Sequence, residues 1–500
     1  MRRSILLTFA SFTFLAAQTP PPPPAAKSET PPPPAVETTS RTKHEMTVNG
    51  AKIPYTATAG TLVLKKEDGK PSASMFYVAY TRDDTPDPTK RPISFAFNGG
   101  PGSSSVWLHL GALGPKRVEM GPDGAPPAPP YHLVDNRDSA LDFTDLVFID
   151  PVSTGFSREA PGENAAQFHG FEGDLKSVAE FIRLYSVRAE RWASPKFLVG
   201  ESYGTTRAAA LSQYLIRNQG IYLNGIVLIS SVLNFETISF APGHDLPYEL
   251  FLPTYTSTAW YHKKLPADLQ GSLEKAIGEA RRFAEGEYAA ALMKGDKLTA
   301  PERAALVKQL ARLTGLSTTF IGESNLRVPP ARFEKELLRS ERRTLGRYDS
   351  RLEGQDADAA GDRPGYDPSY ASVQGAYTTT FNDYVHTDLK YETDLTYEVL
   401  TDKVNPWSYK EFENKYVNVA DMLRDAMTQN QNLKVVIANG YYDLATPFFA
   451  TEYTVNHLGL EPALASHVSL TYCEAGHMLY TRQSCLDNLH ATMAAFYATK

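Results

Sequence analysis

Only two cysteines, Cys473 and Cys485, occur in the 500-residue chain, and no further pair of ligating side chains stands beside them. That excludes a four-ligand zinc site at this place, and no metal ion or other cofactor is expected. Two thiols can instead pair, and an oxidising compartment would permit a bridge closing a short loop. An excess of positive charge is also lacking: 50 Lys and Arg stand against 57 Asp and Glu, a formal charge of −7, with the basic residues scattered. Such a surface has no place for nucleic acid, and no polyanionic partner is expected. Apolar runs are short as well. Ile5 to Leu15 is too brief to span a bilayer, so no membrane span is expected. No internal repeat is evident.

What is present begins with an unusual front end. Two arginines, the apolar run and then small Ala16 and Ala17 read as an export signal over residues 1–17, cleaved near Gln18, which implies a periplasmic or secreted protein. Residues 18–43, with Pro20 to Pro24 and Pro31 to Pro34, read as an extended Pro-rich linker. From His44 the texture changes to alternating runs, Met46 to Val48, Ile53 to Ala57, Thr61 to Lys65 and Ser74 to Thr81, expected as antiparallel strands. More uniformly apolar strands follow at Ile93 to Phe97, Leu146 to Ile149, Phe197 to Val199, Ile226 to Ile229, Val435 to Ala438 and Val468 to Tyr472. Helical patterns such as Leu175 to Trp192 and Ala420 to Gln429 lie between them.

This alternation predicts an α/β fold with a mostly parallel central sheet flanked by helices, carried by residues 44–233 and 406–500. Between them, residues 234–405 lose the strand rhythm. Leu269 to Met293, Pro301 to Leu313 and Pro330 to Leu345 read as charged amphipathic helices and Glu353 to Ser369 as a connection, so this part is expected to be a mainly helical cap insertion.

The chemistry concentrates in Lys196-Phe197-Leu198-Val199-Gly200-Glu201-Ser202-Tyr203-Gly204, a strand running into Gly-x-Ser-x-Gly and out through the helix-forming Thr205 to Leu215. A serine on so tight a strand-to-helix turn needs small residues two places to either side, and Gly200 and Gly204 fill those places. A hydroxyl is a poor nucleophile at neutral pH, so Ser202 needs an imidazole and a carboxylate to orient it. Of eleven histidines, His477 follows a strand through Cys473-Glu474-Ala475-Gly476, and Asp443 follows another through Asn439-Gly440-Tyr441-Tyr442. Serine, acid, histidine, each in a loop after a parallel strand, is the order of an α/β-hydrolase triad. Asn98-Gly99-Gly100-Pro101-Gly102 follows the strand begun at Ile93, where a backbone N–H can meet a developing oxyanion together with the N–H of Tyr203. Pro101 has no N–H, so Gly99 or Gly100 must donate. The loop has neither the spacing nor the lysine of a nucleotide-binding loop.

With Asn98-Gly99-Gly100-Pro101-Gly102-Ser103-Ser104, Asp150-Pro151-Val152-Ser153-Thr154-Gly155-Phe156-Ser157, Gly200-Glu201-Ser202-Tyr203, Asp443 and Gly476-His477-Met478, the chain resembles the serine carboxypeptidase family, in its bacterial exported branch. The resemblance implies release of C-terminal amino acids from peptides or proteins. It makes Ser202 the nucleophile, His477 the base, Asp443 its orienter and Gly100 and Tyr203 the oxyanion donors. Asn98, Gly99 and Glu201 match positions that bind the substrate's terminal carboxylate, and Met478 one that lines the leaving-residue pocket. Two departures stand out. Ala112 occupies the place of a second glutamate that shares a proton with the first in many relatives, and Ala96 that of a tryptophan. Arg158, Arg207 or a residue of the insertion are candidates to help hold the carboxylate.

Glu201 can read a free carboxylate only while protonated and donating, because two carboxylates at hydrogen-bond distance do not both ionise comfortably. Peptide affinity is therefore expected to be best at acid pH. Two other readings stay open: an esterase or acyltransferase built on the same three residues, and a catalytically silent binding protein tethered by its proline segment.

Overall fold

The computed structural model describes residues 35–48 and 50–498. The export signal and both proline runs lie outside the described residues. Nine strands form the main path of one sheet: β1 (Thr39–Val48), β2 (Ala51–Lys65), β3 (Pro71–Arg82), β4 (Ile93–Phe97), β5 (Asp145–Ile149), β6 (Lys196–Ser202), β7 (Gly225–Ser231), β8 (Lys434–Gly440) and β9 (Val468–Cys473). Their order across the sheet is β1-β2-β3-β5-β4-β6-β7-β8-β9. The six from β5 onward in that order are mutually parallel, and β1, β2 and β3 add an antiparallel wing, β3 pairing with β5. This is the expected α/β architecture. The start of β1 corrects the expected linker boundary: Thr39 to Lys43 pair with Thr56 to Gly60 of β2, and the threonines there favour a pleated edge.

Every residue of β4 and β5 is buried, as strands covered on both faces require. One apolar layer joins Phe95, Val147, Leu198, Leu228 and Ile437 to helix α1 (Phe171–Arg188), helix α2 (Tyr203–Gln219) and helix α5 (Ala420–Gln429). The opposite face carries Phe148, Val199 and Val227, packed with Tyr377, Phe381 and Tyr384 of helix α4 (Pro368–Thr387) and with helix α6 (Gln483–Ala498). Residues of the segment after β7 build a third cluster around helix α3 (Leu246–Tyr261), which reaches Leu444, Phe448 and Phe449.

Within 234–405 the local structure departs from expectation in several places. Leu269 to Met293 is not one helix: it breaks at Gly271 and carries a π-helical turn at Ala284–Tyr288. The helix from Pro330 stops at Glu336, and Arg343–Leu345 pairs instead with Glu353–Gln355. Neither α3 nor α4 was among the expected helices; Asp367 caps α4 by accepting from the N–H groups of Ser369 and Tyr370, with Pro368 in its first turn. Among the described residues no helix is long and apolar enough to cross a membrane.

Candidate active site

The loops after β4, β6, β7, β8 and β9, at the carboxyl ends of the parallel strands, converge on one cavity of about 210 Å³. In open α/β sheets that edge is where ligands bind. Ser202 sits at the junction of β6 and α2 with φ 60° and ψ −130°, a left-handed backbone unusual for a residue with a side chain. The turn is tight enough that a Cβ on Gly200 would lie 2.2 Å from the Gly204 carbonyl oxygen, and one on Gly204 2.7 Å from that of Phe97. The glycines are therefore steric necessities of the elbow.

Asp443 and His477 come together as the sequence predicts. His477 Nδ1 lies 2.7 Å from Asp443 Oδ2, so Nδ1–H donates and Nε2 is left as the acceptor. The carboxylate is held by three further donors: the N–H groups of Ala445 (2.8 Å) and Thr446 (3.0 Å) to Oδ1, and the Thr446 hydroxyl (2.6 Å) to Oδ2. The imidazole is held in turn. Its backbone N–H donates to the Tyr348 carbonyl at 2.6 Å, its carbonyl accepts from Ser230 Oγ at 2.6 Å, and the Tyr348 ring stacks on it at 5.1 Å. Burial opposes the imidazolium, but Asp443 and, more weakly, Glu201 outweigh it and raise the pKa above the ordinary value. Ser202, Thr446 and His477 all face the cavity.

Asn98, Gly99, Gly100 and Tyr203 line the same cavity. Gly99 is the point of closest approach: a Cβ there would stand 2.4 Å from the Tyr203 nitrogen. Gly100 has φ +98°, which favours glycine for a second reason. The loop is braced from behind. Ser104 N–H donates to the Val399 carbonyl (3.0 Å), Thr401 N–H to that of Gly102 (3.0 Å), and Asp150 Oδ1 accepts from both the N–H (2.8 Å) and hydroxyl (2.7 Å) of Ser105. The Asp150 motif thus acts as an anchor for the glycine loop.

Glu201 is 3% exposed and also faces the cavity. Burial pushes its carboxyl up to about 7, against the opposing pull of His477 and of hydrogen bonds from Tyr480 and Asn98. Tyr480 Oη donates to Glu201 Oε2 at 2.6 Å. Neither proposed arginine helper reaches the cavity. Arg207 is buried against Asp174 (2.7 Å) and the Asn98 carbonyl (2.7 Å), its guanidinium between the rings of Phe97 and Tyr203. Arg158 is spent on the carbonyls of Gly155, Ser157 and Thr396. The arginine that does line the wall is Arg347, from the insertion, with Tyr348, Tyr370, Trp107 and Met478 nearby. Cys473 and Cys485 are bridged, closing a loop that contains His477 and Tyr480.

Sequence reasoning did not find Tyr348, Thr446 or Tyr480. Thr446 had a readable signal, since Asp followed three places later by Thr is a self-capping turn. Tyr480 lies three residues beyond His477 in a short 3₁₀ turn, Leu479–Thr481. Nothing local announces its partner 279 residues away.

A serine on a strained elbow, a carboxylate-held imidazole and a glycine loop pressed against the elbow's first helical N–H together define a serine hydrolase of the α/β-hydrolase class. The family model described as serine carboxypeptidase matches residues 52–477, and the chain belongs to that family. It is similar to the pheromone-processing carboxypeptidase KEX1 of Saccharomyces cerevisiae, 33% identical over 156 residues, which is 29% of this chain and 20% of that one. It is also similar to serine carboxypeptidase-like 20 of Arabidopsis thaliana, 28% identical over 184 residues, 36% and 33% of the two chains. The matched stretches thus span a fifth to a third of these relatives. The crystal structure of a prohormone-processing carboxypeptidase from Saccharomyces cerevisiae shares the fold, with a TM-score of 0.54 at 16% identity over 88% of this chain and 91% of that one.

Proposed function

We propose that the protein is a serine carboxypeptidase that removes the last residue of peptides or proteins, working outside the cytoplasm. Ser202 Oγ attacks the final peptide carbonyl as His477 Nε2 takes its proton. Gly100 and Tyr203 N–H groups stabilise the oxyanion, and the imidazolium gives its proton to the departing amino acid. Water, activated by the same imidazole, then cleaves the acyl-enzyme. Asn98, Gly99 and protonated Glu201 hold the free carboxylate. The observation that carries this reading is Glu201: a buried carboxyl, kept partly neutral at pH 7, beside the nucleophile and facing the same cavity. A protein that only hydrolysed esters has no use for a desolvated acid there. The bridged cysteines and the apolar run Ile5 to Leu15 support export. Residues 234–405 supply Arg347 and Tyr348, from the connection between the paired strands Arg343–Leu345 and Glu353–Gln355, and Tyr370 of α4 to the cavity wall, as a cap would.

An esterase or acyltransferase is the second reading, and Ala112 in place of a second glutamate is what favours it. The test is cleavage, at pH 5 and 7.5, of an N-blocked dipeptide with a free C-terminus, its C-terminal amide and a matched ester, with Ser202→Ala as control. Acid-favoured hydrolysis of the free acid, abolished in the variant, supports the carboxypeptidase. Hydrolysis of the ester alone moves the assignment to the second reading. No turnover and no labelling of Ser202 by a fluorophosphonate would leave a binding protein.

A further inference from the structure

Glu201 has a neighbour whose place in the site nothing above explains. Tyr480 is completely buried and does not line the cavity, so it cannot touch substrate. Its hydroxyl nevertheless donates to Glu201 Oε2 at 2.6 Å and interacts with Asn98. The fold makes room for that ring at one position. A Cβ on Gly111 would lie 2.4 Å from Tyr480 Cε2 and 2.5 Å from Tyr377 Oη, so Gly111, the residue before Ala112, is the floor on which the phenol rests.

We propose that Tyr480 takes the place of a second acid: it positions Glu201 through one donated hydrogen bond and thereby sets how far towards neutral pH the site can hold a free carboxylate. This rests on the reading of Glu201 as the carboxylate-binding group. The physical difference between the two arrangements is one of sign. A second carboxyl within hydrogen-bond reach discourages ionisation of the first by like charge, whereas a phenol carries its own proton and favours the anion it donates to. Burial lifts the Tyr480 hydroxyl well above its ordinary value, so it stays a donor throughout the working range. The other groups facing Glu201 are His477 and Asp443, from the loops after β9 and β8, Asn98 from the glycine loop, Tyr377 on α4 and Tyr348 on the insertion. Arg347, on the same cavity wall, acts on His477. Of these, Tyr480 and Asn98 are the neutral donors that pull the carboxyl down, and Asn98 is also tied to Leu108 N–H through Oδ1.

The consequence runs against intuition: deleting a hydrogen bond should improve peptide binding at alkaline pH. In Tyr480→Phe, which keeps the ring on Gly111, the pH at which KM for a free-acid dipeptide begins to rise is expected to move up by about one unit. KM at pH 8 then falls about fivefold relative to the unaltered enzyme, while KM for the matched ester stays level. Gly111→Ala, which pushes the ring without removing any polar atom, should shift the profile in the same direction. A merely structural tyrosine would instead weaken binding at every pH and for both substrates. An unmoved inflection in both variants, or a rise in KM shared by acid and ester, overturns the inference while leaving Glu201's role intact. If the unaltered enzyme shows the same pH dependence of KM for free acid and ester, the carboxylate reading of Glu201 fails and this inference falls with it.

Discussion

Replacing Gly99 by alanine should disable the oxyanion site without touching a polar atom. The added Cβ would stand 2.4 Å from the Tyr203 nitrogen and 2.9 Å from both the Glu201 carbonyl oxygen and the Gly204 nitrogen. Ordinary van der Waals contact begins near 3.4 Å, so the two backbones must part by about 1 Å, and every offending atom is main chain that cannot swing aside. Neither side is loose. Phe97 is in register with Gly200 across the sheet, and Asn98 Oδ1 is fixed by Leu108 N–H at 3.1 Å. Oxyanion donors work at about 2.7–3.1 Å, so a 1 Å opening removes one of them, a loss of about 10²–10³ in kcat or about 2.7–4 kcal/mol of barrier. Gly99, unlike Gly100, does not have a positive φ, so backbone strain adds nothing and the effect is steric. Overpacking of this kind costs about 1–3 kcal/mol of stability, short of unfolding a chain this large. The assay is steady-state ester hydrolysis with a thermal melt on the same preparation. A kcat within threefold of the unaltered enzyme at an unchanged Tm would show that the loop does not supply the donor.

Glu201→Gln freezes the neutral form: KM for a free-acid peptide should be flat from pH 5 to 8, whereas the native carboxyl, at about 7, raises KM about twofold at pH 7 and about tenfold at pH 8. The folded carboxyl lies above its ordinary value of 4.5, so its contribution to stability is complete below pH 4.5 and is lost as pH climbs through 7. Melting at pH 8 should thus favour the Gln variant, and equal melting curves at pH 8 would refute the burial argument. Replacing both cysteines by alanine opens a loop with a sequence separation of 12 and should cost about 3 kcal/mol, read by denaturant titration with and without reductant. Arg347 is the permanent cation on the cavity wall, so Arg347→Gln should lower kcat/KM for substrates with a glutamate at the scissile bond about two- to fivefold and leave their glutamine counterparts unchanged.

The parts of the fold that could be read from sequence were those where a single physical demand governs a short segment. Ile93–Phe97 must be buried on both faces and is apolar throughout, and Ala420–Gln429 presents one apolar stripe; both have their expected bounds. Helix α4 escaped because its Tyr and Thr residues are poor helix formers whose helicity is imposed by packing of Tyr377, Phe381 and Tyr384 into the core. The elbow, Asp443 and His477 were legible because their chemistry needs particular neighbours in the chain. Arg207 misled because a cation near the nucleophile in sequence is here an internal strut against Asp174. Tyr348 and Tyr480 carry no pattern of their own, and only the closed structure brings them to His477 and Glu201.

The hold of Val399 and Thr401 on the glycine loop bears on how this enzyme could be re-engineered. Those two residues end the long segment that supplies Arg347 and Tyr348, while its beginning is stitched to the body where Phe235 N–H meets the Val417 carbonyl at 2.8 Å. The segment is therefore not a detachable module that can be traded for another to alter selectivity. A graft that replaced all of it would carry away the back wall of the glycine loop, and the resulting chimera would bind its new substrate in front of a slack site. Exchanges confined to the interior, for instance between the ends of α3 and α4, keep both seams and so separate recognition from turnover.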